Sequence, residues 1–335
     1  MSEPASPSRR LRNKHTSADL SATRRRQFRH KYSPKGWRRV LRTLRHALEY
    51  AALRLLVGSL RLLGVERASA ASGLLWRAVA PRTKRHERAL AHLAIAFPDK
   101  TALERENIAR AMWENLGRTA AEAFMLDKIL RDEWRIAIAT PDVINSVGTA
   151  QGKAVVASMH YGNWELGIWP FTHSGFASIG LYQKLQNPFV EAWVLRLRQR
   201  LFPGGIYSKN HATPLQLLRA VRQGKPMGIL ADLRDVRGID VPFFGQNAPT
   251  TTFPALIARH ENAVLIAGRV IRLKGASFRL EAKLIDVPHT GDKNADTAEA
   301  TRRLQAVFEE WITERPDLWM WAHQRWGKRR IIDRA

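Results

Sequence analysis

The stretch Ala157–Glu165, ASMHYGNWE, places His160 five positions before Glu165. A carboxylate bonded to one imidazole nitrogen fixes the tautomer and raises the basicity of the other nitrogen, as a general base requires. The chain has eleven histidines and 30 acidic residues among 335, so this spacing also arises by chance. The elements that present the two side chains must therefore decide between catalysis and coincidence.

His160 directly follows the apolar run AVVAS (154–158), which has the length and the residues of a buried strand. From Lys153 onward, short β-rich runs alternate with helical ones, up to a final helix near 295–314. This alternation predicts an α/β fold with a largely parallel sheet flanked by helices. Ligands of such sheets collect at the carboxyl ends of the strands, so His160 stands where an active site is expected.

The path of the chain after His160 decides whether Glu165 can reach it. On one regular helix the two side chains would point about 140° apart. We expect the Tyr-Gly pair after His160 to turn the chain and Asn163 to cap a helix that begins at Trp164. Glu165, in the first turn of that helix, would then reach back to the imidazole. A structural histidine at a strand end is the competing interpretation.

A second group of polar residues follows another strand-like run, MGILAD, and extends to Thr252. Asp232 has the same position relative to this run that His160 has relative to AVVAS. The threonines at its end precede a predicted helix whose N-terminus favours an anion. A long surface loop with a hydrogen-bonded Asp232 is the competing interpretation.

Other chemistries lack the residues that they require. The absence of cysteine excludes disulfides, cysteine-ligated metals and a thiol nucleophile. The chain contains no Gly-x-Ser-x-Gly elbow, no His-Glu-x-x-His pair and no phosphate loop ending in Gly-Lys-Ser/Thr. A metal site made of His160, Glu165 and His173 is conceivable, but no further cluster of ligands supports it. We therefore expect no metal and no cofactor.

The net charge of +25 is unevenly distributed. Residues 1–45 hold fourteen Lys and Arg against two acidic residues, which is typical of a disordered arm that binds nucleic acid or an anionic membrane. Residues 46–66 are rich in leucine but carry Glu49, Arg54 and Arg61, so no apolar run of about eighteen residues occurs. We predict an amphipathic helix in a membrane interface; a helix packed on its own domain is the alternative.

Several motifs in order resemble the bacterial lipid A biosynthesis (lauroyl/myristoyl) acyltransferase family, a branch of the glycerolipid acyltransferase-like enzymes with a His-x4-Asp/Glu motif. The resemblance extends from about Ala71 to Trp326. The motifs are PRTKRHERALAHLAIAFP (81–98), HYGNWE (160–165), the segment from Tyr182 that ends in QNP, Asp232 followed by VPFFG, and WMWAHQRW (319–326). The resemblance implies one acyltransferase domain over 67–330, with a helical part (67–150) before the α/β core (151–330).

The resemblance also implies a reaction. A fatty acyl group would pass from acyl carrier protein to a hydroxyl of a lipid A precursor, at the cytoplasmic face of an anionic inner membrane and without nucleic acid as a partner. His160 would take the hydroxyl proton and Glu165 would orient the imidazole, with no acyl-enzyme and no metal. Arg198 would contact phosphate or the oxyanion, while Asp232 and Asn163 would support the site.

The sequence departs from the family pattern at a few positions. Relatives usually have Gln after the aspartate, where Leu233 and Arg234 stand here, and Arg where Gln183 and Gln324 stand. These departures leave the acceptor and the acyl length open, and the basic arm up to about Arg45 has no family counterpart. Two alternatives remain: a member of the same family that acylates another membrane glycolipid, and a nucleic-acid-binding protein that is not an enzyme.

Overall fold

The computed structural model of the chain describes residues 36–208 and 213–327. The chain divides into two compact units, residues 1–49 and 50–335. The described part of the first unit is helical and holds an ion pair between Arg45 Nε and Glu49 Oε1 at 3.3 Å. The second unit contains both sheets of the described chain.

A series of helices precedes an alternation of strands and helices. The helices are α1 (Gly36–Leu62), α2 (Gly64–Val79), α3 (Lys84–Ala96), α4 (Ala102–Ala123), α5 (Leu126–Ile129), α6 (Pro141–Thr149), α7 (Trp169–His173), α8 (Pro188–Arg198), α9 (Thr213–Arg222), α10 (Phe253–Glu261) and α11 (Lys293–Glu314). The strands are β1 (Ile136–Ile138), β2 (Ala154–Ser158), β3 (Ile179–Tyr182), β4 (Gly205–Ser208), β5 (Met227–Leu230), β6 (Arg234–Phe243), β7 (Gln246–Thr250), β8 (Val264–Arg272) and β9 (Phe278–Ile285).

Seven strands form one sheet in the order β1-β9-β8-β2-β5-β3-β4. Neighbouring strands are parallel except for the antiparallel pair β8 and β9. Strand β2 lies at the centre and is buried along its whole length. Val155 and Ala157 pack into one apolar cluster and Ala154 and Val156 into another, so apolar layers cover both faces of β2. The predicted α/β class with a largely parallel sheet is confirmed.

The segment predicted as a long loop, 230–252, forms a two-stranded antiparallel ribbon of β6 and β7. Phe243 pairs with Gln246 across a two-residue turn in which Phe244 and Gly245 have φ angles of 50° and 68°. Positive φ at both central residues is the geometry that matches the twist of a hairpin. The turn was missed because a phenylalanine rarely takes the first of these positions.

The first described helix begins ten residues earlier than predicted. Residues 36–45, assigned to the basic arm, are helical because Trp37, Val40, Leu41 and Leu44 recur at helical spacing. The helix ends at Leu62, before a break at Gly64, where φ is +77°. Residues 1–35 of the predicted arm lie outside the described residues. Within the described chain, no helix is both long enough and apolar enough to cross a membrane.

A buried carboxylate joins the helices to the sheet. Glu122 of α4 is fully buried and accepts hydrogen bonds from Ser69 Oγ of α2 at 2.6 Å and from Asn163 Nδ2 at 2.8 Å. Two nitrogens of Arg272, at the end of β8, bind the same carboxylate at 2.5 and 2.8 Å. Arg272 Nε also donates to Asn115 Oδ1 at 2.8 Å. This network fixes the loop after His160 against α2, α4 and β8.

Removing one charged partner of the Glu122 network should destabilise the protein. Replacing Arg272 by Met leaves the Glu122 charge buried without its cation, so we expect Arg272→Met to lower the free energy of unfolding by about 3–5 kcal/mol. Urea unfolding followed by circular dichroism measures the change. The control is Arg279→Met on β9, whose half-exposed pair with Glu281 should contribute about 1 kcal/mol or less. Equal losses in the two variants would contradict the prediction.

Candidate active site

His160 and Asp232 meet because of the register between two central strands. Strands β2 and β5 are parallel neighbours, and Ser158 is paired with Leu230 at their carboxyl ends. His160 and Asp232 each stand two residues beyond that pair. The sequence prediction that they hold equivalent positions is confirmed, and the register brings the two side chains into contact.

Asp232 is fully buried and accepts three hydrogen bonds. His160 Nδ1 lies 2.9 Å from Oδ1, while the His160 backbone N–H and Trp319 Nε1 each donate to Oδ2 at 2.9 Å. Burial alone would raise the pKa of Asp232, but the charge and hydrogen bonds of His160 hold that pKa well below its usual range. An ionised carboxylate only accepts, so Nδ1 carries the proton and Nε2 is the ring nitrogen that can accept one.

The expected contact between Glu165 and His160 is not formed. Residues Trp164–Leu166 make a single 3₁₀ turn, and the Glu165 carboxylate is bound instead by Arg198 at the end of α8. Arg198 Nε donates to Oε2 at 2.7 Å and Nη2 to Oε1 at 2.5 Å. A guanidinium engages a carboxylate through two parallel bonds, which an imidazole cannot do. The contact by which Glu165 was expected to orient His160 is therefore not made in this structure, and Asp232 makes it instead.

Asn163 has a structural contact other than the predicted one. It precedes the 3₁₀ turn but forms no side-chain cap there: its Nδ2 donates to the buried Glu122, and its Oδ1 is buried without a hydrogen-bond partner in the described chain. The turn before it depends on Gly162, which has a φ of +57°. A Cβ on Gly162 would lie 1.7 Å from the carbonyl oxygen of Val270 on β8, so this loop can approach the sheet only with glycine.

Two aromatic rings pack on the imidazole. The ring centroids of Trp164 and His323 lie 5.1 and 5.2 Å from that of His160, in edge-to-face arrangements. His323 Nε2 is buried with no hydrogen-bond partner in the described chain. Burial lowers the pKa of His323 to about 4, against the opposing effect of the Asp232 charge, so this ring is neutral at neutral pH. His323 belongs to the WMWAHQRW motif (319–326), but nothing in its local sequence distinguishes it as a site residue.

A cavity of about 430 Å³ opens beside these rings. Trp164, Glu165 and His323 line it, so it lies next to His160. Trp76 and Trp113 contribute apolar surface, while Arg85 and Arg88 contribute positive charge. Gln324, one of the departures from the family pattern, also lines this cavity. The cavity thus combines apolar walls with cations, which suits a ligand that has both an apolar part and a negative charge.

The structure does not bring together His160, Glu165 and His173, the metal ligands considered from the sequence. His173, at the end of α7, packs its ring on Trp169 at 5.3 Å between centroids. In the described chain, the group whose ligand atoms all lie within 4.8 Å of one another is His160, Asp232 and His323. In this group, His160 Nδ1 and Asp232 Oδ1 are already engaged in a hydrogen bond with each other.

These features define a class of protein. An imidazole held by a buried carboxylate at the carboxyl edge of a parallel sheet, beside a cavity with apolar walls, is an arrangement suited to the active site of an α/β enzyme. The model of the bacterial lipid A biosynthesis acyltransferase family matches residues 35–328, and the chain belongs to this family. The resemblance is confirmed, and the match begins at residue 35, inside the segment expected to lack a family counterpart. No curated protein matches the chain.

The role of each carboxylate can be measured without an activity assay. We expect Asp232→Asn to move the Nδ1 proton resonance of His160 upfield, because a neutral amide accepts a weaker hydrogen bond than a carboxylate. Glu165→Gln should leave that resonance near its wild-type position. Nitrogen-edited NMR on histidine-labelled protein gives the shifts, and His160→Gln assigns the signal. The reverse pattern would restore Glu165 as the residue that orients the imidazole.

Proposed function

We propose that this protein transfers a fatty acyl group from acyl carrier protein to a hydroxyl of a lipid A precursor, with His160 as the general base. The observation that carries the proposal is the contact of His160 Nδ1 with Asp232, which leaves Nε2 as the proton acceptor. Family membership supports acyl transfer as the reaction class. The cavity beside the imidazole supplies space for the reactants.

The chemistry proceeds by direct transfer. His160 Nε2 takes the proton from the acceptor hydroxyl while its oxygen attacks the thioester carbonyl carbon. The resulting tetrahedral oxyanion collapses, the carbon–sulfur bond breaks, and the departing thiolate takes the proton back from the imidazolium. An ester and a free thiol are formed, and the enzyme returns to its starting protonation state.

Asp232 favours this cycle because its charge is fixed before the proton moves. The imidazolium that forms in the first step lies 2.9 Å from a carboxylate shielded from water. The hydrogen bond to Asp232 is present throughout, but the attraction between two opposite charges exists only when His160 is charged, so it lowers the barrier to proton transfer without tightening the binding of the ground state. Asp232 is thus proposed as the residue that stabilises the imidazolium.

The remaining site residues have supporting roles in the proposal. Arg85 and Arg88 bind the phosphate of the donor's pantetheine arm, since both line the cavity. Glu165, held by Arg198, fixes the wall of the cavity and the neighbouring Trp164 that packs on His160. Asn163 anchors the loop to Glu122.

The central test is turnover of His160→Ala with acyl carrier protein and a lipid A precursor. A positioned base contributes about 10²–10⁴-fold, so turnover should fall at least about 100-fold while affinity for the carrier protein is retained. Asp232→Asn should be impaired more than Glu165→Gln, because Asp232 contacts the imidazole. The double variant of His160 and Asp232 should be little worse than His160→Ala alone.

The outcomes separate the alternatives. A folded His160→Ala protein with near-normal turnover would falsify the general-base assignment. Transfer to another glycolipid, but not to a lipid A precursor, would retain the reaction and replace the acceptor. Mass spectra of lipids from cells with and without the gene identify which acceptor is used.

The same proposal places the enzyme on the cytoplasmic face of the inner membrane. Helix α1 carries leucines that are largely exposed to solvent, such as Leu55 at 74% and Leu62 at 90%. An interfacial helix buries such side chains among lipid chains, with about 1.5–3 kcal/mol for each leucine.

Membrane attachment should therefore depend on these leucines. We expect serine at Leu55, Leu56 and Leu62 together to move most of the protein from the membrane fraction to the soluble fraction. Serine at three exposed leucines elsewhere is the control, and it should leave the distribution unchanged: Leu215, Leu256 and Leu284. Equal release by both triple variants, or by neither, would count against the interfacial helix.

A further inference from the structure

A second cavity, of about 480 Å³, lies between α1, α5 and α8. It shares no lining residue with the cavity beside His160. Four arginines line it: Arg54, Arg61, Arg196 and Arg200. The only carboxylate among its lining residues is that of Asp127. We refer to it as the arginine cavity.

The positive charge of the arginine cavity is only partly compensated. Arg61 is neutralised by Asp127, through bonds of 2.8 and 2.6 Å to its two oxygens. Arg54, Arg196 and Arg200 form no ion pair with a carboxylate in the described chain. Three like charges facing one space repel each other, and an anion in that space relieves the repulsion. Guanidinium groups bind phosphate oxygens through paired hydrogen bonds, which makes phosphate the matching anion.

Two of the guanidinium groups are held in place. Arg54 Nη1 donates to the Tyr50 hydroxyl at 3.0 Å, and the guanidinium carbon lies 4.9 Å from the ring centroid of Trp193. Arg61 is fixed by Asp127 and by the Phe124 carbonyl oxygen at 2.8 Å. Groups that are already ordered lose little entropy when a ligand binds. Arg54 and Arg61 are therefore preorganised for a ligand, while Arg196 and Arg200 are exposed.

The surroundings of the cavity favour a lipid over a free ion. Val57, Trp193 and Leu197 give it an apolar wall. On α1, Leu55 and Leu62 stand about 90° around the helix from the face that lines the cavity, and they are 74% and 90% exposed. An amphiphile with its phosphate in the cavity can lay its hydrocarbon chains along these leucines. Inorganic phosphate would leave that apolar strip unused.

We propose that the arginine cavity binds the phosphate group of an anionic membrane lipid and so fixes the orientation of the enzyme on the bilayer. The site is separate from the reacting groups. It rests on the membrane location proposed above but does not depend on the reaction.

The test is flotation of the full chain with phosphatidylcholine vesicles that contain phosphatidic acid. A second set of vesicles carries the same negative charge as oleate, which has no phosphate. The test variant is Arg196→Gln with Arg200→Gln, since both side chains are exposed and neither forms an ion pair in the described chain. The control is Arg279→Gln with Arg302→Gln, which removes the same charge outside the cavity. Salt of about 0.3 M suppresses general electrostatic attraction.

The expected result is a loss of affinity for phosphatidic acid vesicles of about tenfold or more in the test variant, and about twofold or less in the control. The protein should bind oleate vesicles more weakly, and its affinity for them should be the same in the test variant and in the control. Arg54→Gln gives an independent reading of the same cavity if the double variant is poorly folded.

Three outcomes would overturn the proposal. Equal losses in both double variants would show that only net charge matters. Equal binding to phosphatidic acid and oleate vesicles would exclude phosphate recognition, and full competition by millimolar inorganic phosphate would assign the cavity to the free ion. Absence of binding to any vesicle would refute the membrane location as well, while acyl transfer in detergent would still report on the proposed reaction.

Discussion

The structure depends on one buried charge, the carboxylate of Glu122. An ionised group without water is stable only when donors surround it, and here those donors come from α2, from the loop after His160 and from β8. No single element can satisfy Glu122 by itself. The helical layer, the sheet and the loop must therefore take one arrangement relative to each other, and that arrangement sets where the chain goes after His160.

The same electrostatic requirement separates the two carboxylates near the imidazole. Asp232 finds its donors in His160 and Trp319, whereas Glu165 is matched by the guanidinium of Arg198. Each negative charge thus has its own positive or polar partner, and the two do not compete for the ring. Glu165 still lines the cavity beside His160, but the register of the strands, and not the His-x4-Glu spacing, determines which carboxylate contacts the imidazole.

Local sequence patterns predicted the central strand and the relative positions of His160 and Asp232. The apolar run 154–158 predicted a buried strand, and the equivalent position of Asp232 followed from a second such run, because both signals lie within a few residues. Non-local pairings have no such signal. The contact between Glu165 and Arg198 needs the packing of α8, and the place of His323 needs the path of the C-terminal segment. The Phe244-Gly245 turn was missed because its residues break the usual preference.

The hydrogen bond between Trp319 and Asp232 joins two parts of the chain that the ribosome makes at different times. The two residues are 87 positions apart, and the loop at His160 also pairs with the same late segment through Met320 N–H and the Leu318 carbonyl. A ribosome makes all seven strands of the sheet before it makes this segment. The nascent chain can therefore collapse around its sheet while the aspartate still lacks its indole donor. The hydrogen bonds that hold Asp232 and the loop at His160 are therefore complete only after residues 318–320 have been made.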